Sequence, residues 1–263
     1  MRITKTQSKL HELYEYREFL AQFVCQQLHA RYNGSFLGFF WTLLNPLLIY
    51  FSLSFVFSYL NRWDLRDYGL YFFSGYLAWN FIANSCLMAS DSIVSNPAYV
   101  NRIYAPKALL PLAVVTINLV DLAVGFVIVL ILTVVAGKPF SPALMVIPVS
   151  AAITAAFVIG MSLICAVCNV VFRDFQHLLG AALFLGFFLS PILWMPDAMP
   201  ESMQTYITLN PVVPFLELFR APLWQGVLPQ LNTIVVGIGL ALASLVCGVA
   251  LFSRFENRFY YYL

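Results

Sequence analysis

Long apolar stretches separated by short polar breaks dominate the pattern along this chain. A helix needs about 20 apolar residues to cross the hydrocarbon core of a bilayer. The pattern predicts an all-α, polytopic membrane protein with six transmembrane helices, at residues 36–60, 71–93, 108–136, 144–172, 178–195 and 231–252. We expect one transmembrane domain over 1–263.

The segment before the first span, 10–31, has apolar residues at helical spacing, among them Leu20, Phe23, Val24 and Leu28. Its acidic residues fall mostly on the other side, so it predicts an amphipathic helix lying in the membrane interface. An ordinary helix packed on the protein is the alternative. The mixed start of the chain does not resemble a signal peptide, and we expect the N-terminus in the cytoplasm.

Residues 196–226 are rich in proline yet still apolar, which suits two short re-entrant helices that dip into the membrane and return. Irregular backbone at that depth is tolerated only where protein shields it or where it faces water.

Charge gives the orientation. Of the 14 Lys and Arg residues, ten fall on the side of the N-terminus and four on the other side, so both termini are expected in the cytoplasm. Composition agrees with a membrane protein, since 10% of the residues are charged against roughly 25% in soluble domains. The net charge of +2 gives no basic surface for nucleic acid.

The metal-ligating and catalytic residue types are scattered. The five cysteines include the pair Cys165 and Cys168, whose C-x-x-C spacing lies in an apolar span without a second pair, so small buried side chains are the simpler interpretation. The histidines are His11, His29 and His177. They form no cluster near one membrane face, which argues against a membrane enzyme.

Residues 95–107 are longer and more polar than a turn requires, with proline near both ends. They could fold as a short helix that stands out from the membrane and contacts a partner, or form a solvated linker. The candidate contact residues are Asn96, Pro97, Tyr99, Asn101, Arg102, Tyr104 and Pro106.

Three features stand out within and beside the spans. Gly34 and Gly38 form a G-x-x-x-G that permits close helix packing, within one subunit or between two. Asp91 lies near the end of the second span, where it could stay solvated. Asp121 lies midway along the third, and an intramembrane carboxylate is by default a candidate for function.

Four ordered motifs make the sequence recognisable: RYNGSFLGFFWTLLNPLL from Arg31, the 97–106 segment, FRD from Phe172, and SPILWMP from Ser190 followed by LNPVVPFLELFR from Leu209. Over essentially the whole chain they resemble ABC-2 type polysaccharide export permeases, most nearly the Wzm-type permease of O-antigen exporters. Capsule and teichoic-acid export permeases are near relatives.

The resemblance implies a homodimer in the bacterial cytoplasmic (inner) membrane, joined by two copies of a cytoplasmic ATPase subunit. This chain has no G-x-x-x-x-G-K-[ST] loop, so ATP and Mg are expected on the partner and no cofactor in this chain. Residues 95–107 would be the coupling helix, and 196–226 would gate the outer mouth. The cargo would be an undecaprenyl-diphosphate-linked polysaccharide moved outward.

The aromatic content of 16% then suggests a channel whose rings stack on sugars, although lipid contact or packing would explain any single ring. The candidates are Tyr50, Phe51, Phe55, Tyr59, Phe184, Phe187, Phe188 and Trp194. Arg31, just before the first span, is placed to meet the lipid diphosphate. The alternatives are an ABC-2 permease for a drug or small lipid, and a membrane enzyme of lipid or glycan metabolism.

Overall fold

The computed structural model describes residues 15–32, 44, 47–49, 51–52, 55, 65–102, 105–135, 137–196, 200, 204, 206–207 and 209–261. Within these ranges every element is helical, as the all-α prediction requires. The α-helices are α1 Arg17–Tyr32, α2 Leu65–Asp91, α3 Pro97–Arg102, α4 Leu109–Val135, α5 Ile147–Val171, α6 Phe175–Leu189, α7 Val213–Arg220 and α8 Leu231–Phe255.

Three of the described helices are long and apolar enough to cross a membrane. They are α4, α5 with the 3-10 turn Pro142–Val146 before it, and α8 with the turn Glu256–Tyr261 after it. Helix α2 has 27 residues, about 40 Å at 1.5 Å per residue, but a more polar composition. Helix α6 is apolar with only 15 residues. The length and apolar composition of these helices identify the chain as a membrane protein.

The predicted bounds need two corrections. The fifth predicted span, 178–195, overlaps α6, which ends at Leu189. Ser190 precedes a proline and adopts extended backbone, because the proline ring disfavours helical geometry in the residue before it. Within 95–107, only Pro97–Arg102 is described as a helix, and a second proline follows it at 106.

Helix α5 lies at the centre of the bundle and packs on α2, α4 and α8. Its crossing with α8 is close because small residues meet there: a Cβ on Gly160 or on Gly248 would overlap the backbone of the other helix. The Ser244 hydroxyl donates to the carbonyl of Phe157 at 3.1 Å across the same crossing. Small residues and hydroxyl groups are what helices use to associate where water offers no driving force.

Helix α1 lies against the start of α4. Val24 is buried with Ala113 and Ile117, and Leu20, Phe23 and Leu28 pack around them. These are the residues of its predicted apolar side. The opposite side, with Arg17, Glu18 and Gln22, is exposed.

Several predicted positions lie outside the described residues. They are Gly34, Gly38, Tyr50, Tyr59 and Tyr104, together with the side chains of Arg31, Asn101 and Arg102.

Candidate functional site

The predicted coupling segment lies at the end of the bundle where α1, α4 and α8 meet. Tyr99 of α3 is 7% exposed, and its ring lies 5.8 Å from that of Phe19 and 6.4 Å from that of Phe23. Burial, and after it the nearby Tyr16, raise the pKa of Tyr99 to about 12. Tyr99 was expected to be available to a partner, and this was wrong, because its ring is buried between α3 and α1.

The beginning of α3 is held from the chain before it. The Asn96 amide donates to the carbonyl of Ser92 at 2.8 Å, and the Asn96 carbonyl accepts from the backbone N–H of Tyr99 at 3.1 Å. Pro97 and Ala98 are exposed, and Pro106 is half-buried. The exposed surface at the start of this segment is therefore formed by Ser95, Pro97 and Ala98.

The residue after Pro106 ties the segment to the end of the chain. Lys107 donates from Nζ to the carbonyl of Glu256 at 3.1 Å, and Nζ lies 5.9 Å from the ring centre of Phe259. Phe259 is fully buried and meets Phe252 of α8 edge to face at 5.3 Å. A displacement of α3 would consequently reach both α1 and α8.

Helix α6 carries the exposed aromatic side chains. None of its residues is buried, and Phe184 and Phe188 are 65% and 50% exposed, with ring centres 5.3 Å apart. Phe187 instead turns inward, 6.1 Å from Trp79 of α2. The predicted channel residues of α6 therefore divide into two exposed rings and one packing ring.

The other described channel candidates also divide. Phe51 and Phe55 are 63% and 66% exposed. Trp194 is half-buried, and its Nε1 donates to the carbonyl of Phe188 at 2.9 Å. Trp194 thus closes the turn that follows α6.

Arg220, at the end of α7, is 1% exposed, and the sequence interpretation gave it no role of its own. Its Nη1 pairs with Oε1 of Glu217 at 2.8 Å, and its Nη2 donates to the carbonyl of Pro191 at 2.6 Å. The guanidinium lies 4.0 Å from the ring centre of Tyr71. A charged pair three residues apart in an apolar run was the signal that could have found it.

The turn after α6 has carbonyl groups that no helix satisfies, and α2 supplies donors for them. The Tyr68 hydroxyl donates to the carbonyl of Leu193 at 3.1 Å. The Tyr71 hydroxyl lies 2.6 Å from the carbonyl of Trp194 and 3.1 Å from that of Pro191. This is how irregular backbone in an apolar environment keeps its polar groups paired.

The segment after Arg220 is held at the same end of the bundle. It forms one π-helical turn, Ala221–Gln225, and stops at Gly226, whose φ is 70°. The Ser141 hydroxyl donates to the carbonyl of Gly226 at 2.6 Å. Lys138 pairs with Asp67 at 2.7 Å and lies 6.0 Å from the ring centre of Trp224.

Asp121 lies beside a cavity of about 10 Å³ between α2 and α4, room for about one water molecule. The polar side chains of Asn80 and Asn118 line it too. In the described part of the chain no group of His, Cys, Asp or Glu side chains could hold a metal ion. The five cysteines are present as thiols.

Comparison with known proteins identifies the family of this chain. Residues 19–224 match the family described as ABC-2 type transporter. The chain is 31% identical over 251 residues, 95% of either chain, to the O-antigen export system permease protein RfbA of Myxococcus xanthus.

Two more relatives cover similar shares. A Klebsiella pneumoniae protein of the same description is 28% identical over 235 residues, 89% of this chain and 90% of that one. The capsule polysaccharide export inner-membrane protein CtrC of Neisseria meningitidis is 23% identical over 247 residues, 92% of each. With a family match over most of its length, this chain belongs to the ABC-2 type transporter family and is a membrane subunit of a transporter.

Proposed function

We propose that this chain is the permease of an ATP-driven exporter that moves an undecaprenyl-diphosphate-linked, O-antigen-like polysaccharide out of the cytoplasm. Two permease copies and two ATPase subunits would form the complex, and ATP and Mg would bind to the ATPase. The proposal includes six spans, with both termini in the cytoplasm. The re-entrant helices of 196–226 would gate the outer mouth.

The observation that carries the cargo assignment is the exposed aromatic face of α6. Phe184 and Phe188 are large apolar rings, held next to each other on a helix that buries no residue. Aromatic rings offer broad stacking surfaces and lose little rotamer entropy on contact. Two such faces, one from each permease copy, would give a sugar polymer a path without a fixed hydrogen bond at each sugar.

The coupling role of 95–107 is supported by how α3 is held. Its inner side packs on α1 through Tyr99, and Lys107 joins the following residues to the end of α8. Movement of an ATPase bound to the outer side of α3 would be passed to both helices. Arg31 remains the proposed contact for the lipid diphosphate, and unchanged export in Arg31→Ala and Arg31→Lys would reject that role.

The test is co-purification with the proposed ATPase subunit, followed by ATPase activity and surface polysaccharide in cells with and without each subunit. We expect a stable complex, and surface polymer that requires both proteins. If polymer reaches the surface without the ATPase, the ATP-driven function is wrong. A capsule polysaccharide is the second candidate, favoured by the similarity to CtrC, and chemical analysis of the accumulated cytoplasmic polymer separates the two.

A further inference from the structure

Arg220 makes a connection between three parts of the molecule that the sequence keeps far apart. It belongs to α7, it donates to the carbonyl of Pro191 in the turn after α6, and it stacks on Tyr71 of α2. A Cβ on Gly75 would lie 2.7 Å from Nη2, so a residue without a side chain leaves room for the guanidinium on α2.

A buried arginine is a costly choice unless its contacts are needed. Moving a charge out of water is expensive, and an apolar replacement of similar volume often stabilises a protein as well. Here Glu217 supplies the opposite charge, yet Nε has no hydrogen-bond partner among the described residues. An apolar side chain could not donate to the Pro191 carbonyl, which the Tyr71 hydroxyl also approaches, at the longer distance of 3.1 Å.

The Pro191 carbonyl is important because it lies in the turn that directly follows α6. Pro191 lies two residues beyond the end of α6, and the turn is bonded back to α6 through Trp194 and Phe188. The position of this turn therefore sets the direction of the end of α6 that carries Phe184 and Phe188.

The segment that holds Arg220 is itself fastened elsewhere. The Ser150 hydroxyl of α5 donates to the carbonyl of Leu218 at 2.9 Å. Lys138 donates to the carbonyl of Trp224 at 3.4 Å, and Ser141 donates to that of Gly226. We use the name outer platform for residues 213–226 together with the residues that hold them. These are Tyr71 and Gly75 of α2 and the loop residues 138–141.

We propose that Arg220 is a positioning residue for export: it fastens the outer end of α6 to the outer platform, whose internal contacts stay unchanged through the transport cycle. The proposal rests on the export function proposed above. It implies that residues 213–226 are a fixed support for the aromatic path, so the gating proposed above for 196–226 would not include a movement of these residues.

The first test compares Arg220→Gln and Arg220→Lys with Arg254→Gln, which removes the same charge from an exposed position on α8. Export is divided by the amount of assembled transporter, and ATPase activity is measured beside it. We expect Arg220→Gln to assemble and hydrolyse ATP but to export about tenfold less per complex, because a charge-assisted hydrogen bond is lost. Arg220→Lys should recover part of the loss, and Arg254→Gln should export normally.

A purely structural role would lower the amount of complex and leave export per complex unchanged, which would overturn the proposal. Absence of polymer export by the wild-type complex would instead reject the proposed function itself. The two failures are therefore distinguishable.

The second test does not depend on whether the Arg220 variants fold. The Ser141 Cβ lies 3.5 Å from where a Cβ on Gly226 would stand, a separation that a disulfide spans. The pair Ser141→Cys and Gly226→Cys, with Cys25 and Cys247 replaced by serine, is compared oxidised and reduced, as export per assembled complex. The single Gly226→Cys variant controls for the strain of a side chain at φ 70°, and the single Ser141→Cys variant for the lost hydroxyl. Equal export in both states supports a fixed platform. Export blocked by oxidation and restored by reduction overturns it.

Discussion

The ring of Phe19 lies 5.8 Å from the ring of Tyr99, so α1 packs directly against the short helix α3. Tyr99 was chosen from the sequence as a surface contact. In the structure its ring is buried against α1. A mutation of Tyr99 therefore tests the packing of α3 on α1 and not a surface contact.

Tyr99→Phe should leave stability and ATPase coupling unchanged, because the hydroxyl is buried without a hydrogen-bond partner among the described residues. Tyr99→Ala should lose about 3–5 kcal/mol, as large-to-small changes of buried aromatic residues do. Thermal unfolding and ATP-coupled export of both variants check this. Loss of export in Tyr99→Phe at full stability would mean that the hydroxyl contacts a partner after all.

Alkaline pH gives an independent test of the same burial. The pKa of Tyr99 is raised from 10.0 to about 12, so the unfolded chain loses this proton at lower pH than the folded protein. Stability from the buried neutral ring is complete below about pH 10 and is lost between about pH 10 and 12. The alkaline fall in unfolding temperature should be shallower in Tyr99→Phe, and parallel curves would contradict the burial.

The crossing of α5 and α8 predicts a sharp contrast between two glycines. Gly160→Ala should destabilise by about 1–3 kcal/mol, because the added methyl group overlaps the Ser244 backbone. Gly239→Ala on α8 is the control: no described residue has an atom within 4 Å of its Cβ position, and alanine favours a helix by about 1 kcal/mol. Unfolding temperatures in detergent measure both, and equal values would show that the helices do not approach closely here.

The exposed rings of α6 predict a separation of export from stability. Phe184→Ala with Phe188→Ala should lower polymer export several-fold and leave unfolding nearly unchanged. Phe215→Ala is the comparison, since Phe215 is fully buried and stacks on Phe157 at 4.4 Å, and its loss should cost about 3–5 kcal/mol. Normal export in the double variant would remove these two rings from the proposed path.

The ion pair of Lys138 with Asp67 should contribute little despite its length of 2.7 Å. The two side chains are 33% and 59% exposed, and exposed pairs are worth about 0–1 kcal/mol. Asp67→Asn should therefore lower stability by less than Lys138→Met, which also loses the contacts to Trp224. A double-mutant cycle at low and high salt measures the coupling, and a value that salt does not reduce would contradict exposure.

The sequence was enough for the all-helical, membrane-embedded kind of fold. Apolar runs of sufficient length carry that information, since a helix in lipid must satisfy its own backbone. The side of α1 that packs was also correct, because its apolar residues recur at helical spacing. Helix α2 was harder to delimit, since Tyr68 lies before the predicted start of the span yet is buried.

The direction of side chains could not be read from the sequence. Phe184, Phe187 and Phe188 are the same residue type on the same helix. Phe187 is the packing residue among them because it lies next to Trp79 of α2. The same holds for Arg220, whose role depends on a hydrogen bond to the carbonyl of Pro191, 29 residues earlier in the chain. Such roles arise from contacts between distant segments.

Asn169, near the end of α5, has a similar double attachment. It is buried, its side-chain amide donates to the carbonyl of Ser90 at 3.0 Å, and its Oδ1 accepts from the backbone N–H of Gln176 at 3.3 Å. One side chain thus joins the end of α2, the end of α5 and the beginning of α6. The helix that carries the exposed rings is therefore anchored at both of its ends, here by Asn169 and beyond Leu189 by Arg220.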